Sequence, residues 1–140
     1  MFKNILIAYD GSDHAQRAAI LASNLARSQK IETVVRIVTV MDPSPWELGE
    51  PNLSRFIAEH TRTGENLIQE AAGLIGPEIE IHKELLFGAP AESILKVAET
   101  RSCDLIVMGA RGLGMLEMLL LGSQTQKVIS HARCPVLVVK

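Results

Sequence analysis

Five short apolar runs alternate with four stretches of helical periodicity along this chain, and that alternation leaves few folds open. The runs are KNILIAY (Lys3 to Tyr9), TVVRIVTVM (Thr33 to Met41), EIEIHKELLF, DLIVMG and CPVLVV. Each is short, rich in aliphatic residues and bounded by turn formers, the mark of a strand. After the first run, Ser12 can cap a helix in which Ala15, Ala18, Ala19, Ala22, Leu25 and Ala26 recur on one face. Leu53, Phe56, Ile57, His60, Gly64, Leu67, Ile68 and Ala71 mark a second helix. Pro90 starts a third, with Ile94, Leu95 and Ala98 inward, and Val128, Ile129 and Ala132 mark a fourth. The order β-α-β-α-β-α-β-α-β predicts an α/β fold: a mostly parallel sheet with helices on both faces, joined by right-handed crossovers. In EIEIHKELLF, Ile79 and Ile81 alternate with polar neighbours, the pattern of a partly covered strand at a sheet edge.

With 140 residues, the expectation is one domain spanning 1–140 with a core large enough to need no staples. A net charge of -2 and the lack of any basic run argue against a nucleic-acid partner. No apolar segment approaches the roughly 18 residues of a membrane helix, and the N-terminus lacks the pattern of a signal peptide. The expected location is cytoplasmic, with no membrane partner. Cys103 and Cys134 each directly precede a strand, so they become neighbours if those strands pair. They fit neither a disulfide scaffold nor a metal knuckle, and read as reduced thiols.

The stretch MGARGLGMLEMLLLGSQTQ, Met108 to Gln126, places glycines directly after the fourth strand. In open parallel sheets, ligands sit beyond the carboxyl ends of the strands, where strand order reverses. Gly109 and Gly112 there can turn the chain and expose bare amides to an anion. Gly122, Ser123 and Thr125 would form the first turn of the last helix, whose unpaired N–H groups and partial positive charge favour phosphate. The hydroxyls of Ser123 and Thr125 can add donors. No lysine stands in a Walker position, and no Gly-x-Gly-x-x-Gly follows the first strand. The expected ligand is therefore a polyphosphate held by amides and hydroxyls, with a divalent cation. The same residues also read as a purely structural turn and helix start.

The spacing Gly109-x-x-Gly112, nine residues, then Gly122-Ser123 resembles the nucleotide signature of the universal stress protein family. ILIAYDGSDHA, VTVMDP, FGAPAESI and CPVLVV agree in order, so the resemblance spans the chain. It implies a five-stranded sheet of order 3-2-1-4-5, of the adenine nucleotide alpha hydrolase type, and binding of ATP with Mg or Mn. By motif position it puts Asp10 and Val40 near the adenosine. It puts Met108, Gly109 and Gly112 along the ribose and phosphates, and Gly122, Ser123, Gln124 and Thr125 over the phosphate tail. Gln124 departs from the family pattern, where a small apolar residue is usual. Either its backbone alone meets the ligand, or its side chain turns inward and touches or crowds phosphate.

Other residues carry two readings each. Asp10 is a ligand contact, or an Asx turn before the first helix. Trp46 is a lid over adenine, or a plug between helix and sheet. Arg111 reaches phosphate, or points to solvent. Met115, Met118 and Leu119 to Leu121 form a short packed helix, or a partner-facing patch. His14, His60, His82 and His131 are too scattered for a metal site. In the implied strand order, Pro135 to Val139 form an apolar edge strand, which a second copy would cover as a homodimer. The functional expectation is an ATP-binding stress-response regulator with no catalytic residues. Two alternatives stay open: an interaction module of the same fold that binds no nucleotide, and a slow ATP hydrolase.

Overall fold

The computed structural model describes residues 1–41, 47–112 and 120–140. The readings placed on Trp46 and on Met115, Met118 and Leu119 lie outside them. Along the described chain run β1 (Asn4–Ala8), α1 (Asp13–Ser28), β2 (Val34–Met41), α2 (Asn52–Ile75), β3 (Glu80–Phe87), α3 (Pro90–Thr100), β4 (Leu105–Gly109), α4 (Ser123–His131) and β5 (Val136–Val139). The strands form one sheet of order β3-β2-β1-β4-β5, and every neighbouring pair is parallel. The expected fold, strand order and edge position of β3 are all observed.

Strand periodicity sorts the core into two layers. Ile5, Ile7, Val35, Ile37, Leu105 and Val107 face α1 and α2. Leu6, Val38, Ile106 and Met108 face α3 and α4, where Ala91, Ile94, Val97, Ala98 and Val128 meet them. β1 pairs β2 on one side and β4 on the other, with Ile7 opposite Ile37 and Val107. The chain winds outward from β1 to β3 on one face, then crosses back to β4 on the other. The reversal lies between β1 and β4, and it opens a crevice at their carboxyl ends.

Two close approaches set the helices on the first face. The buried stripe of α1 is Ala15, Ala18, Ala19, Ala22, Ser23 and Ala26, small enough to bring the helix axis near the sheet. Ser23 donates from Oγ to the Ile75 carbonyl at 2.8 Å, tying α1 to the last turn of α2. Along α2, Gly64 rides over β3: a Cβ there would collide with the Leu85 side chain. The second face holds both cysteines as free thiols. Burial pushes the Cys103 thiol up to about 11, and raises Cys134 as well. Neither forms much thiolate at neutral pH, in keeping with a packing role.

Gly64→Val should destabilise the fold by about 1–3 kcal/mol through overpacking against Leu85. Adding Leu85→Ala should return part of that loss, as read by urea unfolding. Additive losses would refute the contact as the cause.

Candidate functional site

The site begins where β1 ends. Tyr9 keeps the strand's direction, its N–H donating to the Val38 carbonyl at 2.9 Å, and Asp10 then turns the chain. Asp10 Oδ1 accepts from the Ser12 amide at 2.9 Å and from Ser12 Oγ at 2.6 Å. Ser12 Oγ in turn accepts from the Ala15 amide at 3.3 Å, capping α1 as expected. Gly11 sits between them at φ +84°, where a side chain would be strained. The Asx-turn reading of Asp10 is thus realised through Oδ1. Oδ2 faces the segment beyond β4, since a Cβ on Gly112 would come within 2.6 Å of it.

The second margin is the exit of β4. The Ala110 amide donates to the Val139 carbonyl at 2.8 Å, and the Gly122 amide donates to the Ala110 carbonyl at 2.7 Å. Thr125 Oγ1 donates to the Gly109 carbonyl at 3.0 Å. The chain therefore leaves the sheet and returns to the same two residues before starting α4. These bonds limit what Thr125 and Gly122 can offer a ligand, and correct the expectation of a Thr125 hydroxyl donor. The Thr125 hydroxyl is buried and committed to Gly109, so only its amide remains for a ligand. The Gly122 amide is spent on Ala110. Gly109 is a glycine for lack of room, and neither it nor Gly112 has positive φ. A Cβ on Gly109 would lie 2.7 Å from His14 Cβ and 3.0 Å from the Ala15 nitrogen.

α4 starts at Ser123 with Gly122 as a cap that makes no side-chain bond. The amides of Ser123, Gln124 and Thr125 lie in the first turn, where no intrahelical acceptor exists. Gln124 uses its side chain elsewhere. Its Oε1 accepts from the Ala91 amide at 3.0 Å, in the first turn of α3. The α3 cap residue, Ala89, has no side chain able to do this. Gln124 therefore caps a neighbouring helix, and the starts of α3 and α4 are joined beside the same crevice. Sequence reasoning missed this bond because the two residues lie far apart along the chain.

Between these margins is a cavity of about 410 Å³. Asp10, Val40, Met108, Gly109, Gly112, Gly122, Ser123, Gln124 and Thr125 all line it. Its floor is apolar, from Ala8, Val38, Val40, Ile94 and Met108, and the starts of α1 and α4 rim it with polar groups. Thr39 and Tyr9, which sequence reasoning passed over, also line it. Thr39 Oγ1 donates to the Tyr9 carbonyl at 2.9 Å, and the Tyr9 hydroxyl donates to Glu70. Burial, then the Glu70 carboxylate, raises the Tyr9 hydroxyl far above its usual range, so it stays protonated.

Arg111 lines the same cavity. Its Nη2 lies 3.2 Å from Nε2 of His14, in the first turn of α1. Burial, then Arg111 and Arg17, lower the His14 pKa. A histidine held below its free value favours the neutral fold: that stability is complete above about pH 6.5 and fades as pH drops below it.

The sequence model of the universal stress protein family matches residues 1–140. A universal stress protein of Thermus aquaticus, from the 3' region of its QAH/OAS sulfhydrylase, is 46% identical over 140 residues, covering all of both chains. The solved structure of hypothetical protein MJ0577 is 30% identical, with a TM-score of 0.85, covering 100% of this chain and 96% of its own. A universal stress protein of Archaeoglobus fulgidus, solved in complex with dAMP, shares the fold at 22% identity and a TM-score of 0.73, covering 100% of this chain and 98% of its own.

Gly109→Ala should destabilise the protein by about 1–3 kcal/mol, because backbone on α1 cannot yield as a side-chain tip does; chemical denaturation measures it. Gln124→Leu should remove the α3 cap at a loss of about 1 kcal/mol, while Gln124→Glu keeps the acceptor and stays near wild type. Equal stability of both Gln124 variants would overturn the capping role.

Proposed function

The chain belongs to the universal stress protein family, and on that premise we propose that it binds ATP in the crevice between β1 and β4 and acts as a nucleotide-responsive regulator in stress response. The observation that carries this reading is the cavity's polarity. An apolar floor suited to a base ends at the start of α4, where first-turn amides and the Ser123 hydroxyl offer donors to phosphate. Asp10 and Val40 would border the adenosine; Met108, Gly109 and Gly112 the ribose and phosphates. Gly122, Ser123, Gln124 and Thr125 would border the phosphate tail, chiefly through the Ser123, Gln124 and Thr125 amides. The adenine nucleotide of the Archaeoglobus protein with this fold agrees in ligand class.

A divalent cation, Mg or Mn, would arrive on the phosphates. The described residues contain no cluster of three or more His, Cys, Asp or Glu able to hold a metal ion. Asp10 is the one carboxylate among the described lining residues. Its Oδ1 accepts from Ser12, and its Oδ2 stands on the side of Gly112. That suits a metal carried by the ligand, whose role would be to neutralise phosphate charge.

The same arrangement supports binding over fast turnover. Among the described lining residues there is no histidine and one carboxylate, Asp10, which is engaged in a turn, so none of these side chains is poised as a base for water.

Assembly as a homodimer would use β5. It is a sheet edge, and Val136 to Val139 are all half-buried. Leu137 and Val139 pack towards α1, and Val136 towards the opposite layer, leaving Val138 outside both clusters. A second copy would cover this edge. No helix among the described residues is long and apolar enough to cross a membrane.

Three measurements test these readings. Isothermal titration should show ATP binding, and Ser123→Ala should weaken it by about one to two orders of magnitude, a loss of roughly 1.5–3 kcal/mol. Wild-type affinity in that variant would remove Ser123 from the site, whereas no binding by the wild-type protein would leave the interaction-module alternative. Val138→Lys should give a folded monomer in sedimentation velocity; an unchanged dimer would place the interface elsewhere.

A further inference from the structure

We infer that His14 is a positioning residue, whose ring holds the Arg111 guanidinium at the wall of the cavity, where Arg111 supplies a side-chain cation to the anionic end of the ligand. The inference rests on the nucleotide reading above and assigns that site two further residues. Arg111 is the only basic side chain among the described residues that line the cavity. The other donors for an anion among those residues are amides and hydroxyls.

The contact fixes the state of the imidazole. A guanidinium can only donate, so the nitrogen facing it at 3.2 Å must carry a lone pair. His14 is therefore neutral, with its proton on Nδ1. Nδ1 is buried and has no hydrogen-bond partner among the described residues. The opposite tautomer would leave the Nδ1 lone pair equally unmet and set an Nε2 proton against the guanidinium. The cationic ring would add charge repulsion to that clash. The charged groups around His14 act in the same direction as the contact. Arg111 and Arg17 oppose its protonation more than Asp13 and Asp10 favour it, and burial adds to them. The ring thus remains an acceptor at neutral pH.

Backbone packing fixes where this acceptor stands. His14 Cβ sits over Gly109 with no space for another carbon between them. Arg111 follows two residues after Gly109, so the close approach that joins α1 to β4 also sets the distance from the imidazole to the guanidinium. A long arginine loses rotamer freedom when it grips an anion. Here part of that freedom is already gone before a ligand arrives, the condition for preorganised recognition. The terminal phosphates, which carry the most charge, would gain most from it.

The test compares ATP, AMP and adenosine by titration, alongside ¹⁵N NMR of the His14 ring. The wild type should show the Nδ1–H tautomer and a His14 pKa below 6.5, which rises in Arg111→Gln. His14→Leu and Arg111→Gln should each lose about tenfold in ATP affinity and leave adenosine affinity unchanged. The double variant should lose no more than either single one. His14→Gln, whose carboxamide oxygen can accept from the guanidinium, should recover most of the loss. Because Arg111→Gln alters a side chain outside the packed core, it reports even where His14→Leu fails to fold. Unchanged preference for ATP over adenosine in Arg111→Gln, additive losses in the double variant, or an Nε2–H tautomer would each overturn the inference while the nucleotide reading stands. A wild type that binds none of the three removes the nucleotide reading, and the role of Arg111 towards its ligand with it.

Discussion

The contact between Gly109 and the first turn of α1 governs the geometry of this protein's crevice. β4 ends on a residue with no side chain, and the backbone of His14 and Ala15 occupies the space one would need. The loop after β1 and the loop after β4 are thereby brought to a fixed separation at the point where strand order reverses. Asp10 then stands opposite Gly112, and His14 opposite Arg111. A larger residue at 109 would move α1 as a unit, because its alanine stripe is packed along the sheet without slack.

The polar rim follows from how the chain returns to the sheet. Hydrogen bonds from Gly122 to Ala110 and from Thr125 to Gly109 pin the start of α4 to the end of β4. Gln124 pins it again, to the start of α3. These bonds use up groups that would otherwise be available to an anion, and they hold still the amides that remain. A helix N-terminus attracts phosphate in general; one held from several directions presents its donors at fixed positions. The same bonds explain a glutamine where the family usually has a small apolar residue. Its side chain serves a neighbouring helix while its amide keeps its place in the turn.

The fold and the outline of the site were both legible in the chain, for different reasons. Strands of four to eight residues and alanines at helical spacing carry their structure locally, so element type and order could be read directly. Gly109, Gly112, Gly122, Ser123 and Thr125 could be named because glycine and hydroxyl spacing marks strand exits and helix starts, and the other named crevice residues were placed by the family resemblance. Their individual tasks were less legible. Thr125 reads as a phosphate donor from its neighbours in sequence, and its hydroxyl is spent on a carbonyl 16 residues earlier. Gly109 reads as a hinge, and is a spacer. Arg111 reads equally as solvent-facing or site-facing until His14, 97 residues away, is found against it.

By itself, the sequence determined an α/β domain with strands in a known order along the chain, a candidate site at the ends of the first and fourth, and a resemblance to one family. Local periodicity and turn chemistry act over a few residues and are written in consecutive letters. Tertiary structure alone decided which donors stay open, which glycine is a spacer, and which side chain stands against His14. Each of those depends on groups that meet only after the sheet has closed its order, and whose hydrogen-bonding capacity is finite.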